Sequence, residues 1–136
     1  MTSLARTLSL AFAAGAVGAL ANSVTAWASG AYGVSQALGV SIAPGFTLAW
    51  LYPRLVWGGL WGLLFAVPLA RPHGLALGLL LSLAPTAYQL LVVFPQRGSG
   101  LFGLELGAMT PVLVLVLNGV WGLTAALWLR MVRGGS

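Results

Sequence analysis

The residues that could do chemistry are few and scattered. Glu105 is the only carboxylate side chain in 136 residues, His73 the only imidazole, and cysteine is absent. Paired-acid hydrolysis needs a second carboxylate, a nucleophilic triad needs a base held by an acid, and a zinc centre needs three or four clustered ligands. None of these sets can be assembled from this composition. The expectation is a non-enzymatic protein with no catalytic residue, metal or cofactor. His73 lies between Pro72 and Gly74, and it reads as a solvent-facing turn histidine rather than an axial haem ligand.

What remains is a polar set suited to binding or to holding helices together. An ionisable group within a membrane costs about 2.5–3.5 kcal/mol on insertion scales and usually has a partner. Glu105, near the start of a long apolar run, is therefore expected to pair with Arg54, or failing that with Arg97. Counting along the apolar runs brings Asn22, Tyr88 and Gln89 to a similar depth, bordering that pair, while Asn118 is an intramembrane amide of the last run. Asn22, Gln89 and Asn118 read first as hydrogen-bonding contacts between helices.

Membrane helices have to position these residues. The chain is 60% hydrophobic and 5% charged, against about 25% charged in a soluble domain, and so few charges cannot cover a water-facing surface. The net charge of +5 comes from arginines at the ends of apolar runs, with no basic stripe, which excludes a nucleic-acid interface. Apolar runs at about 8–27, 50–69, 75–94 and 101–130 predict one all-α domain, 1–136, folded as an integral membrane four-helix bundle. A helix over 111–129 is about 28 Å long at 1.5 Å per residue, close to a bilayer core, with Thr110 as N-cap and Pro111 at the first helical position. Residues 101–109 either extend this helix or form a separate half-helix at the interface.

Breaks in the runs follow from Gly and Pro. Pro85 predicts a kink in the third span, whereas Pro53 falls in the first turn of the second, where a missing N–H costs little. Gly30, Gly33, Gly39, Pro44 and Gly45 predict a short interfacial segment between the first two helices. Ala70-Arg71-Pro72-His73-Gly74 predicts a tight turn. Arg6, the apolar run 8–20 and Ala26-Trp27-Ala28 imitate a cleavable signal peptide. The apolar run continues to Thr25, longer than a signal core, and so reads as a retained helix.

Small residues mark the faces on which the helices pack. Ala11, Gly15, Gly18 and Asn22 recur at helical spacing in the first span, Gly58 and Gly62 form a GxxxG pair in the second, and Gly103 and Gly107 form another. Gly122 shares a stripe with Asn118 and Ala125. Where Cβ is missing, helix backbones approach closely, so these glycines are expected to face protein, and Leu63 and Val116 to face lipid. Arg54, Trp57 and Trp61 share a helix face on which a guanidinium could lie over an indole. Gly59-Leu60-Trp61-Gly62-Leu63 returns in the last run as Gly119-Val120-Trp121-Gly122-Leu123, a pattern consistent with two duplicated helical hairpins.

Arg6, Arg71, Arg130 and Arg133 fall on one side of the four spans and Arg54 and Arg97 on the other. The positive-inside rule then places both termini in the cytoplasm, in a bacterial inner membrane. Trp27, Tyr32, Phe46, Trp50, Tyr52, Phe94 and Phe102 would form an aromatic belt at the outer interface. The one-acid, four-helix format resembles small multidrug transporters and small dual-topology channels, but no diagnostic motif of either is present and no residue is carried over. Abundant packing devices and scarce chemistry point first to an accessory, assembly or scaffolding subunit, held in the lipid bilayer as a homo-oligomer or within a larger membrane complex. The second reading is a small oligomeric transporter or channel with a polar site near Glu105.

Overall fold

The computed structural model describes residues 2–67 and 74–133, and every regular element among them is helical. The order is α1 (Thr2–Ala31), α2 (Val34–Ala37), α3 (Leu48–Gly62) continued by a 3-10 turn (Leu63–Ala66), α4 (Gly74–Tyr88) continued by a π-helical turn (Gln89–Val93) and α5 (Phe94–Gln96), a 3-10 segment (Leu101–Leu106), and α6 (Thr110–Val132). Three helices, Ser3–Ala31, Gly74–Gln96 and Thr110–Val132, are long and apolar enough to cross a membrane. The expected turn residues Ala70, Arg71, Pro72 and His73 lie outside the described residues.

Local chemistry sets the helix ends, in places differently from expectation. Thr47 caps α3 by accepting the Trp50 N–H at 3.1 Å, so the helix starts at Leu48 and Pro53 falls in its second turn, not the expected first. Thr110 does not cap α6. Its N–H donates to the Gly107 carbonyl at 3.1 Å, which draws it into the helix as the first residue, after Met109, and leaves its buried Oγ1 without a partner among the described residues. Residues 101–109 do not extend α6; Leu101–Leu106 is a separate, kinked 3-10 segment. Phe102 and Gly103 have left-handed backbone, with φ of 59° and 67°, so Gly103 and Gly107 form no helical face. Gly103 instead sits against the Phe94 ring and Thr110, and Gly107 against the Gly39 carbonyl. The Ser41 N–H donates to the Leu106 carbonyl at 2.8 Å, which ties the connection after α2 to this segment.

The helices lie in the order α3, α1, α6, α4, with α1 running along both α3 and α6 and α4 running along α6. The glycines explain how. Gly15 meets Gly58 and Gly62 across α1 and α3, Gly18 meets the Trp121 backbone across α1 and α6, and Gly78 and Gly122 face each other's carbonyls across α4 and α6. A Cβ at any of these positions would strike backbone. Ala11, Ala14, Phe65, Trp121 and Ala125 fill the core beside them. Val116 is exposed as expected, whereas Leu63 packs half-buried against this core, because the 3-10 turn carries it back toward α1.

Two hairpins, α1 with α3 and α4 with α6, thus each close on a pair of glycines. A two-fold repeat would also give α3 and α4 a contact equal to that of α1 with α6. No such extended contact exists among the described residues; the two helices approach where the Trp61 and Tyr88 rings meet, 5.7 Å between centroids.

Gly119 provides an internal control, since only the Leu79 side chain lies within reach of a Cβ there, at 3.7 Å. Gly119→Ala is expected to stabilise the protein in detergent by up to about 1 kcal/mol through helix propensity. Gly122→Ala, three residues on, should destabilise it by about 1–3 kcal/mol or more through overpacking. Thermal unfolding of the two variants measures this, and equal effects would contradict the packing described.

Candidate functional site

Arg54 is the centre of the polar set. It lies half-buried on α3, its Nε donating to Ser23 Oγ at 2.8 Å and its Nη2 to Asn22 Oδ1 at 2.5 Å, both on α1. Its guanidinium carbon is 4.6 Å from the centroid of the Trp50 indole. The aromatic partner is thus Trp50, one turn before it, rather than the expected Trp57 or Trp61. Side chains on a helix lean toward its N-terminus, so Arg54 reaches back over residue 50 and away from residue 57.

From Asn22 the hydrogen bonding continues through the bundle. Its Oδ1 is taken by the guanidinium, so Nδ2 points to α6, donating to the Leu117 carbonyl at 2.8 Å and more weakly to Asn118 Oδ1 at 3.4 Å. Asn118 Nδ2 in turn donates to Thr86 Oγ1 at 3.0 Å and, at the limit of a bond, to Gln89 Oε1 at 3.5 Å. Thr86 passes its own proton to the Ser82 carbonyl at 2.8 Å. Every donor in this chain points away from Arg54. Asn22, Ser23, Ser82, Thr86 and Asn118 are all buried.

Two cavities meet at this layer. One, of about 370 Å³, lies toward the end of the bundle that carries the connections after α1 and α5, and is bordered by Ser41, Pro44, Trp50, Arg54, Arg97 and Asn118 among others. The second, of about 590 Å³, runs down between α3 and α4 past Trp57, Trp61, Pro85, Tyr88 and Val93. Asn22, Arg54, Gln89, Arg97 and Asn118 border both. The exposed Arg97 shares both cavities with Arg54, and like charges on one cavity repel. No carboxylate borders either cavity.

The structure therefore brings Arg54, Arg97, Asn22, Gln89 and Asn118 together, with Tyr88 on the edge of the larger cavity, and leaves Glu105 apart. Glu105 is exposed, folded over Gly100 in the 3-10 segment, and forms no ion pair with Arg54 or Arg97. The left-handed turn at 102–103 sends the chain away from the helix axis on which its depth was counted. Phe94 also departs from expectation, since it is buried beneath Gly103 instead of joining an outer belt. Trp27, Tyr32, Phe46 and Trp50 do form a run of edge-on ring contacts at that end, 5.5–6.2 Å between centroids.

Sequence reasoning missed Ser23, Ser82 and Thr86 as members of the layer. The spacing of Gly78, Ser82, Thr86 and Gln89 along one face of α4 is the signal that would have found the last two. Trp121 was missed as well; it is buried, and its Nε1 donates to the Gly15 carbonyl at 3.0 Å. No family model matches the chain, and no curated protein or solved structure matches it. The site is read from its own chemistry.

Thr86→Val keeps the shape of the side chain and removes the acceptor of Asn118. It is expected to cost about 0.6–1.7 kcal/mol, the range of interhelical hydrogen bonds in membranes. Thr25→Val, which removes only a bond to the Ala21 carbonyl of its own helix, should cost less than about 0.5 kcal/mol. Unfolding in mixed micelles compares the two, and a Thr86→Val variant as stable as Thr25→Val would show that the layer contributes nothing.

Proposed function

We propose that this chain is a small, non-enzymatic, four-helix integral membrane protein that binds an anionic group between Arg54 and Arg97. The observation that carries the reading is the pair of guanidinia on one cavity without a carboxylate. Like charges on one cavity repel, the more so where one of them is partly withdrawn from water as Arg54 is, and a bound anion relieves that repulsion. Guanidinium also presents the forked donors that match carboxylate and phosphate oxygens. The Arg54 bonds to α1 use Nε and Nη2, so Nη1 is free for a ligand, and Arg97 makes no side-chain bond among the described residues.

The geometry of α3 supports counting it as a fourth span. Its 15 α-helical and four 3-10 residues reach about 30 Å at 1.5 and 2.0 Å per residue, the thickness of a hydrocarbon core. With four spans both termini share a side. The arginine bias assigns that side to the cytoplasm and opens the smaller cavity outward.

A second reading, an accessory subunit, is favoured by the unclosed side between α3 and α4 and by Trp57, which is 58% exposed there. In that case a helix of a larger complex, or of a second copy, covers the groove.

The test is thermal unfolding of the purified protein in neutral detergent at low millimolar phosphate, with chloride at matched ionic strength as control. Binding stabilises by about 2.7 kcal/mol at a hundred times the dissociation constant. The expected result is a phosphate-specific rise in melting temperature that Arg97→Gln removes. A rise of the same size in Arg97→Gln would be the general salt effect of phosphate and would refute the site. A stable hetero-complex in which phosphate has no effect would favour the accessory reading.

A further inference from the structure

We infer that the anion is the headgroup of a membrane lipid of the phosphate class, seated at Arg54 and Arg97 with an acyl chain lying in the groove between α3 and α4; this rests on the anion-binding reading above. The two cavities differ in character along the bundle axis. At the level of the guanidinia the polar groups gather, with Asn22, Gln89, Asn118 and Ser99 beside the two arginines among apolar neighbours such as Ile42 and Val114. Below Arg54 the groove is walled by Trp57, Trp61, Pro85 and Tyr88, whose polar atoms are the two indole N–H groups and the Tyr88 hydroxyl. From Arg54 to Trp61 is seven residues of α3, about 10 Å of groove, and the Trp61 and Tyr88 rings close its lower end.

A cationic chamber continued by an aromatic groove has the shape and polarity of an amphiphile. The groove is unpartnered because α3 and α4 lack extended contact, and it opens sideways, where the surroundings of a spanning bundle are lipid chains. Below Arg54 a solute meets mostly ring faces, with polar atoms only at the edges of Trp57, Trp61 and Tyr88. The chamber, at about 370 Å³, is many times the roughly 30 Å³ of a liquid water, so it exceeds a bare halide. Charge complementarity thus selects the head, and the apolar walls select the tail.

The test uses the whole protein in vesicles of zwitterionic lipid containing a few mole per cent of a diacylglycerol phosphate with brominated chains, which quench nearby indoles. Quenching is compared with the same fraction of brominated zwitterionic lipid. The expected result is excess quenching by the anionic lipid, as though it were enriched about tenfold beside the protein, the ratio that one charge-assisted hydrogen bond supplies. Arg97→Gln and the groove-filling Val93→Phe should both abolish the excess, as should Trp57→Phe combined with Trp61→Phe. Arg6→Gln, which removes the same charge at the far end of α1, should not.

Excess quenching that survives Arg97→Gln, or that Arg6→Gln also removes, would overturn the site. Equal quenching by the two lipids in a protein whose melting temperature inorganic phosphate still raises would overturn the lipid inference and leave the anion reading standing. Equal quenching with no phosphate effect would overturn both.

Discussion

A guanidinium that enters an apolar helical bundle without a carboxylate has to be satisfied by neutral acceptors, and the arrangement of this protein depends on how Arg54 meets that condition. Asn22 Oδ1 and Ser23 Oγ, adjacent residues of α1, accept its protons, and the Trp50 ring covers its face. Hydrogen bonds to an ionised donor are roughly twice as strong as neutral ones. Arg54 therefore decides which way the Asn22 amide turns. Once Oδ1 faces α3, Nδ2 must face α6, where it finds the Leu117 carbonyl. The same logic, weaker at each step, carries through Asn118 to Thr86 on α4. One charge on α3 thereby orients polar groups on the other three long helices.

The glycine contacts and the polar chain occupy different levels and divide the work. Gly15 with Gly62, and Gly78 with Gly122, bring backbones together beside the buried Trp121 and Phe65. Closer to the connections after α1 and α5, larger side chains and the two cavities take over. There α4 widens into the π-helical turn at Gln89–Val93, a local expansion that often accompanies functional sites, and Gln89 borders both cavities. The glycine contacts close α1 against α3 and α4 against α6, while the side between α3 and α4 stays open from the charges down to Trp61.

Features governed by local periodicity were legible in the sequence. The inward face of Ala11, Gly15, Gly18 and Asn22, the stripe of Asn118, Gly122 and Ala125, and the helical character of the chain follow from spacing alone. The similar level of Arg54, Asn22 and Gln89 also follows from counting along straight helices, whereas the place of Asn118 beside them does not come from that count. Counting failed where the chain stops being a helix. Glu105 and the pair Gly103 and Gly107 sit in a segment whose direction is set by left-handed backbone at Phe102 and Gly103, and no heptad or GxxxG rule reaches such a turn. The sole acid drew attention as the natural partner of an arginine, whereas the structure satisfies Arg54 with an amide, a hydroxyl and an indole. Ser23 and Thr86 look like ordinary small helix residues until their neighbours in space are known.

The dependence on Arg54 is tested most directly by a double-mutant cycle with Arg54→Leu and Asn22→Leu, measured by reversible unfolding in mixed micelles. Each single substitution strands the other group in apolar surroundings, and the double substitution strands neither. The expected coupling is about 1.5–3 kcal/mol, the strength of a hydrogen bond to a charged group, with the double variant more stable than the sum of the single losses implies. Additive losses would contradict the central place given to the Arg54–Asn22 bond.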